Sequence, residues 1–89
     1  MRIKKDYEIK NSSGQWIVVY DGVPTGAQLN SIVLSESAVF LWNLLKERDM
    51  SKTEMLEELI KKFDISTVLA LGNIDVFVRT LKENGIIEE

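Results

Sequence analysis

The order of apolar periods in this chain predicts an α+β fold, an N-terminal three-stranded antiparallel sheet followed by a three-helix bundle. Two stretches carry the prediction. In Gln15–Tyr20 the residues Trp16, Val18 and Tyr20 alternate with Ile17 and Val19, all good strand formers. Beyond Leu34 the period lengthens, with Ala38, Leu41, Trp42 and Leu45 at i, i+3, i+4 and i+7, one face of a helix. Phe40 and Leu44 add a second apolar side, so this helix requires cover from two directions and becomes the centre of the fold.

The first strand is expected over residues 6–10, around Tyr7 and Ile9, after a basic start (Arg2, Lys4, Lys5) that reads as a solvated, fraying terminus. Asn11-Ser12-Ser13-Gly14 is a turn by composition, with Gly14 free to take a positive φ, and the second strand follows over 15–20. Asp21-Gly22-Val23-Pro24-Thr25-Gly26 holds the only proline and reads as a connection. It lacks the lysine and the helix of a phosphate-binding loop. The third strand is expected over 27–34, with Leu29 and Val33 on one face and Ile32 and Leu34 on the other.

The first helix is expected over about 35–47, with Ser35 as N-cap and Glu36 suited to its positive end. The second runs over about 51–63 behind the capping box Ser51-Lys52-Thr53-Glu54. Its core stripe is Met55, Leu56, Leu59, Ile60 and Phe63, and Glu57–Lys61 and Glu58–Lys62 are spaced for pairing on the outside. The third is expected over about 66–84, with Ile74, Phe77, Val78 and Leu81 inward, Gly85 as its stop, and Ile86 and Ile87 tucking the tail back.

At 89 residues the chain reads as a single domain spanning 1–89, with no room for a core plus an engulfing substrate cleft. It has no His and no Cys. That excludes disulfides, imidazole and thiolate metal sites, Cys nucleophiles and His-based acid–base catalysis. No carboxylate pair falls in an apolar stripe, so neither an enzyme nor a cofactor or metal is expected. The lack of a long apolar run and of a signal-peptide pattern implies a cytoplasmic chain with no membrane partner.

Three strands and three helices in this order make a winged-helix-like domain, and such domains commonly bind DNA. The net charge of −3 and the absence of basic residues from Ser66 to Asn73 argue against nucleic acid here. A different surface stands out. If the strands form a meander, the third has a free edge that carries Gln28, Asn30 and Ser31 rather than a blocking charge or proline. On this reading a proline at position 32 would remove an edge donor. Leu71, Asp75, Arg79 and Lys82 line one flank of the third helix and would wall a groove if they faced that edge. Phe40, Leu44 and Val76 keep a dimerising module open as a third class.

The chain resembles the PqqD family, also called the RiPP recognition element, which captures leader peptides of ribosomally made, modified peptides. The resemblance rests on Leu34-Ser35-Glu36-Ser37-Ala38 with Leu41-Trp42 and Leu45, on Thr53 to Leu59 with Phe63-Asp64, and on Ile74, Phe77, Val78, Leu81, Gly85 and Ile86. Ser35 replaces the usual Asn, and Asn73 the usual Asp. The resemblance implies a non-catalytic peptide chaperone. A precursor's leader would lie antiparallel along the third strand, be read beside the third helix, and be delivered to a modifying enzyme, typically a radical S-adenosylmethionine enzyme. The residues expected to form the strand wall are Leu29, Asn30, Ser31, Ile32 and Val33. Those expected on the helix wall are Leu71, Asp75, Val78, Arg79 and Lys82, with Arg79 and Lys82 placed to meet acidic leader residues.

Overall fold

A computed structural model describes residues 1–20 and 32–88. The elements are β1 (Arg2–Ile3), β2 (Tyr7–Ser12), β3 (Gln15–Tyr20), β4 (Val33–Leu34), α1 (Glu36–Glu47), α2 (Lys52–Phe63), α3 (Thr67–Glu83) and β5 (Ile87–Glu88). The order β2-β3-β4 makes an antiparallel three-stranded sheet ahead of the helices, the α+β arrangement expected. Of the expected third strand, residues 27–31 lie outside the described residues, and β4 is its end.

β2 and β3 meet through a two-residue turn, with Ser12 opposite Gln15. Ser13 and Gly14 both have positive φ, 54° and 84°. That backbone matches the right-handed twist of the flanking strands, and glycine adopts it without strain. The pairing leaves Val18 buried on the sheet face that meets the core, while Trp16 and Tyr20 on either side of it stay partly open.

Each helix starts where a serine can cap it. The Ser35 hydroxyl accepts from the Ala38 amide at 3.3 Å. At α2 the capping box is complete, with Glu54 N–H donating to Ser51 Oγ at 3.2 Å and Ser51 N–H to Glu54 Oε1 at 3.1 Å. Ser66 caps α3. At the far end of α3, Gly85 (φ 69°) reverses the chain, so that the Ile86 amide reaches the Leu81 carbonyl at 2.9 Å and the Gly85 amide the Lys82 carbonyl at 3.0 Å. These are the paired bonds of a Schellman stop, and they turn Ile86 inward.

α1 is central, as its two apolar sides demand. Leu41, Trp42 and Leu45 are buried against Met55 and Leu59 of α2 and Ile74, Phe77 and Leu81 of α3. Phe40, on the second side, is half-covered by an edge-on contact with Phe63 at 5.7 Å between ring centres. Among the described residues no polar or charged side chain is buried.

The basic start does not fray. Arg2 and Ile3 pair with Glu88 and Ile87, and Ile3 is 5% exposed. The Met1 amine binds the Asp49 carboxylate and the Met50 carbonyl, and that contact holds the Asp49 pKa below its ordinary value. The physical reason is Ile3: one apolar side chain among cations is enough to dock the strand once Ile86 and Ile87 supply the complementary surface. The expected Glu57–Lys61 and Glu58–Lys62 pairs are not among the ion pairs of the described residues, which join different elements: Lys46–Glu8, Lys52–Asp75 and Arg2–Glu88. Exposed pairs within one helix gain only tenths of a kcal/mol, too little to hold two long side chains together.

Candidate functional site

The alternation of the sheet decides which backbone groups are available at β4. The Val18 amide donates to the Ile32 carbonyl at 3.1 Å, so Ile32 directs its backbone toward β3. In an antiparallel ladder the next residue faces the other way and the one after returns. Val33, opposite Ile17, therefore turns its N–H and C=O outward, while Leu34, opposite Trp16, turns back to β3. Among the described residues no strand lies outside β4. A proline at position 32 would thus act on the inner side, and position 33 is where an edge donor can be removed.

Beside this edge lies a groove of about 290 Å³. Ile32, Val33, Leu34 and Ser35 form one wall. Ser37 and Ala38, in the first turn of α1, close one end, and Asn73, Val76, Phe77, Thr80 and Leu81 of α3 form the opposite wall. Phe77 and Leu81 are core residues and make the floor, while Val33 and Val76 are more than half exposed. No described residue lining the groove is ionisable.

The helix wall differs from the one expected. Asp75, Val78, Arg79 and Lys82 lie with Lys52 and Glu83 around a separate depression. Asp75 Oδ1 there accepts from Lys52 Nζ at 3.3 Å, and Val78 is 3% exposed. Leu71 is exposed and lies outside the groove. At 100° per residue, the Asn73–Val76–Thr80 row and the Asp75–Arg79–Lys82 row stand roughly 120° apart, on opposite sides of the core stripe. Of the strand wall, Ile32 and Val33 are in the groove, and Leu29, Asn30 and Ser31 lie outside the described residues. The sequence did hold a signal for the flank that lines the groove. A solvent-facing helix side is ordinarily charged, and the row Leu69, Asn73, Val76, Thr80 is the one without charge.

Among the described residues no three His, Cys, Asp or Glu side chains gather as a metal site, and no helix is long and apolar enough to cross a membrane. What the site offers is a hydrogen-bonding strand edge next to a neutral, partly apolar groove. That combination is the one through which a domain can add an extended peptide to its sheet.

The comparisons narrow this further. The family model described as coenzyme PQQ synthesis protein D (PqqD) matches residues 16–87, and the chain belongs to that family. Among solved structures, one described as TbiB1 in complex with the TbiA(beta) leader peptide superposes with a TM-score of 0.70. The match covers 99% of this chain and 95% of that one at 16% identity. No curated protein matches significantly.

Proposed function

We propose that the protein is a non-catalytic peptide carrier that holds the leader segment of a ribosomally synthesised precursor and presents it to a modifying enzyme. The observation that carries this reading is the outward N–H and C=O of Val33 beside the groove of α3. A guest strand laid antiparallel on β4 pairs with those groups and places alternate side chains between β4 and α3, so main-chain bonds supply affinity and the groove supplies selectivity. PqqD family membership and the likeness to a protein solved with a leader peptide support it. Leu29, Asn30 and Ser31 extend the strand wall in this proposal. A radical S-adenosylmethionine enzyme is the partner that the family resemblance favours.

The test is calorimetry with synthetic leader segments of candidate precursor peptides. Val33→Pro removes the outward donor at an edge position where proline is tolerated, and an affinity loss of at least about 100-fold is expected, with thermal unfolding little changed. Unchanged affinity would refute strand addition at β4. An edge without a neighbouring strand among the described residues, beside half-exposed Val33 and Val76, also suits a second copy of the chain. Homodimerisation is then expected to compete with the leader, which light scattering with and without peptide reads.

A further inference from the structure

Four of the seven large apolar side chains left exposed among the described residues are on α3: Val68 at 79%, Leu69 at 61%, Leu71 and Val76. Gly72 stands among them, inside the helix and exposed. Glycine is a poor residue there, because it loses more backbone freedom than alanine and brings no side chain to pack. Nothing among the described residues requires it. Gly72 is not one of the residues with positive φ, and a Cβ added to it would meet no atom within 4 Å. It also lies outside both the groove beside β4 and the charged depression.

At 3.6 residues per turn, Val68 and Val76 stand about 40° to either side of Gly72, and Leu69 about 60° from it. This row is on the side of α3 opposite the buried Ala70, Ile74, Phe77 and Leu81. Gly72 therefore leaves a notch between two exposed valines, one a turn before it and one a turn after. We propose that this notch is the contact of a homodimer, in which α3 of a second copy crosses antiparallel over Gly72 and Val68 of each copy packs on Val76 of the other. The proposal does not rest on the peptide-binding reading. It uses α3 rather than the β4 edge, so it is distinct from strand pairing between copies.

The pattern around Gly72 singles out a second copy as the occupant. The residues four before and four after it are both valine, so a two-fold axis at Gly72 sets one patch against itself, as an isologous interface requires. A position without a Cβ lets backbones approach closely, and in such a pair both helices carry it at the crossing. Charge then sets the orientation. Arg79 lies seven residues after Gly72, and Asp64 lies eight before it, just ahead of α3. Neither belongs to the ion pairs of the described residues. An antiparallel crossing brings Arg79 of each copy toward the Asp64 end of the other, whereas a parallel one sets Arg79 against Arg79. The patch is small beside that of a permanent dimer, so a Kd of roughly 10–500 µM is expected.

Sedimentation equilibrium of the full chain without peptide, from about 5 µM to about 1 mM, reads the association. The wild-type chain is expected to pass from monomer to dimer across that range. Gly72→Gln fills the notch with a better helix former. It is expected to raise the unfolding midpoint of the dilute monomer by about 2–5 °C while weakening dimerisation at least about ten-fold. A glycine of purely local significance would give the first change without the second. Val68→Lys, at the most exposed apolar position of the patch, is expected to weaken the dimer similarly. Val33→Pro, which alters the β4 edge, is expected to leave it unchanged. A chain that stays monomeric throughout, a dimer undiminished by Gly72→Gln, or a dimer lost in Val33→Pro overturns the proposal. None of these outcomes touches the peptide-binding reading, which calorimetry with leader segments tests separately.

Discussion

The two outer edges of the β2-β3-β4 sheet are finished in opposite ways. At β2, the Lys46 ammonium from the last turn of α1 donates to the Tyr7 carbonyl at 2.9 Å and to Glu8 Oε1 at 3.0 Å, with the Lys5 carbonyl 3.5 Å away. One cation thus occupies the outward carbonyl of Tyr7, at the start of that strand, and sets charge beside it, a common way to keep an edge from recruiting another chain. At β4 the outward groups are those of Val33, and the neighbouring groove is uncharged. Among the described residues, the contrast separates an edge held by a cation from one without a neighbouring strand, which is what the proposed guest requires.

The largest expected effect tests which side of β4 is inner. Ile32 is 7% exposed and its carbonyl is bonded to β3, so Ile32→Pro trades a buried side chain for a smaller ring and removes an N–H on the ladder side. A stability loss of about 3 kcal/mol in denaturant unfolding is expected. Val33→Pro, one residue away, should stay within about 1 kcal/mol of the parent. Equal losses for the two would erase the distinction between inner and outer positions.

A smaller effect is expected at the blocked edge. Lys46→Met keeps much of the side-chain length and removes the donors to β2, so stability should fall by about 1 kcal/mol while leader affinity is unchanged. A drop in leader affinity of ten-fold or more would mean that the two edges are not independent.

What could be read from the sequence follows the range of the interaction involved. Ser35, Ser51-Lys52-Thr53-Glu54 and Gly85 specify helix ends through contacts within a few residues, and each does in the structure what its position predicted. The uneven cover of α1 was also legible, because Phe40 and Leu44 break the one-faced period within the helix itself. Ile3 paired with Ile87 was not, since two-residue strands from opposite ends of the chain leave no local period. Which flank of α3 lines the groove was not legible either, for a related reason. Helical spacing groups Leu71, Asp75 and Arg79 as readily as Asn73, Val76 and Thr80, and only the docking of α3 beside β4 decides between them. Charge tells the two rows apart, because Asn73, Val76 and Thr80 are neutral and Asp75, Arg79 and Lys82 are not.

The account stands on an outward Val33 amide with no strand beside it among the described residues, and hydrogen exchange of that single amide tests it most directly. In the free protein the Val33 amide should exchange fast relative to that of Leu34, which faces β3. Saturating leader peptide should slow it by at least about ten-fold. A Val33 amide already protected in the free chain, or one whose exchange is unmoved by saturating peptide, would contradict the account.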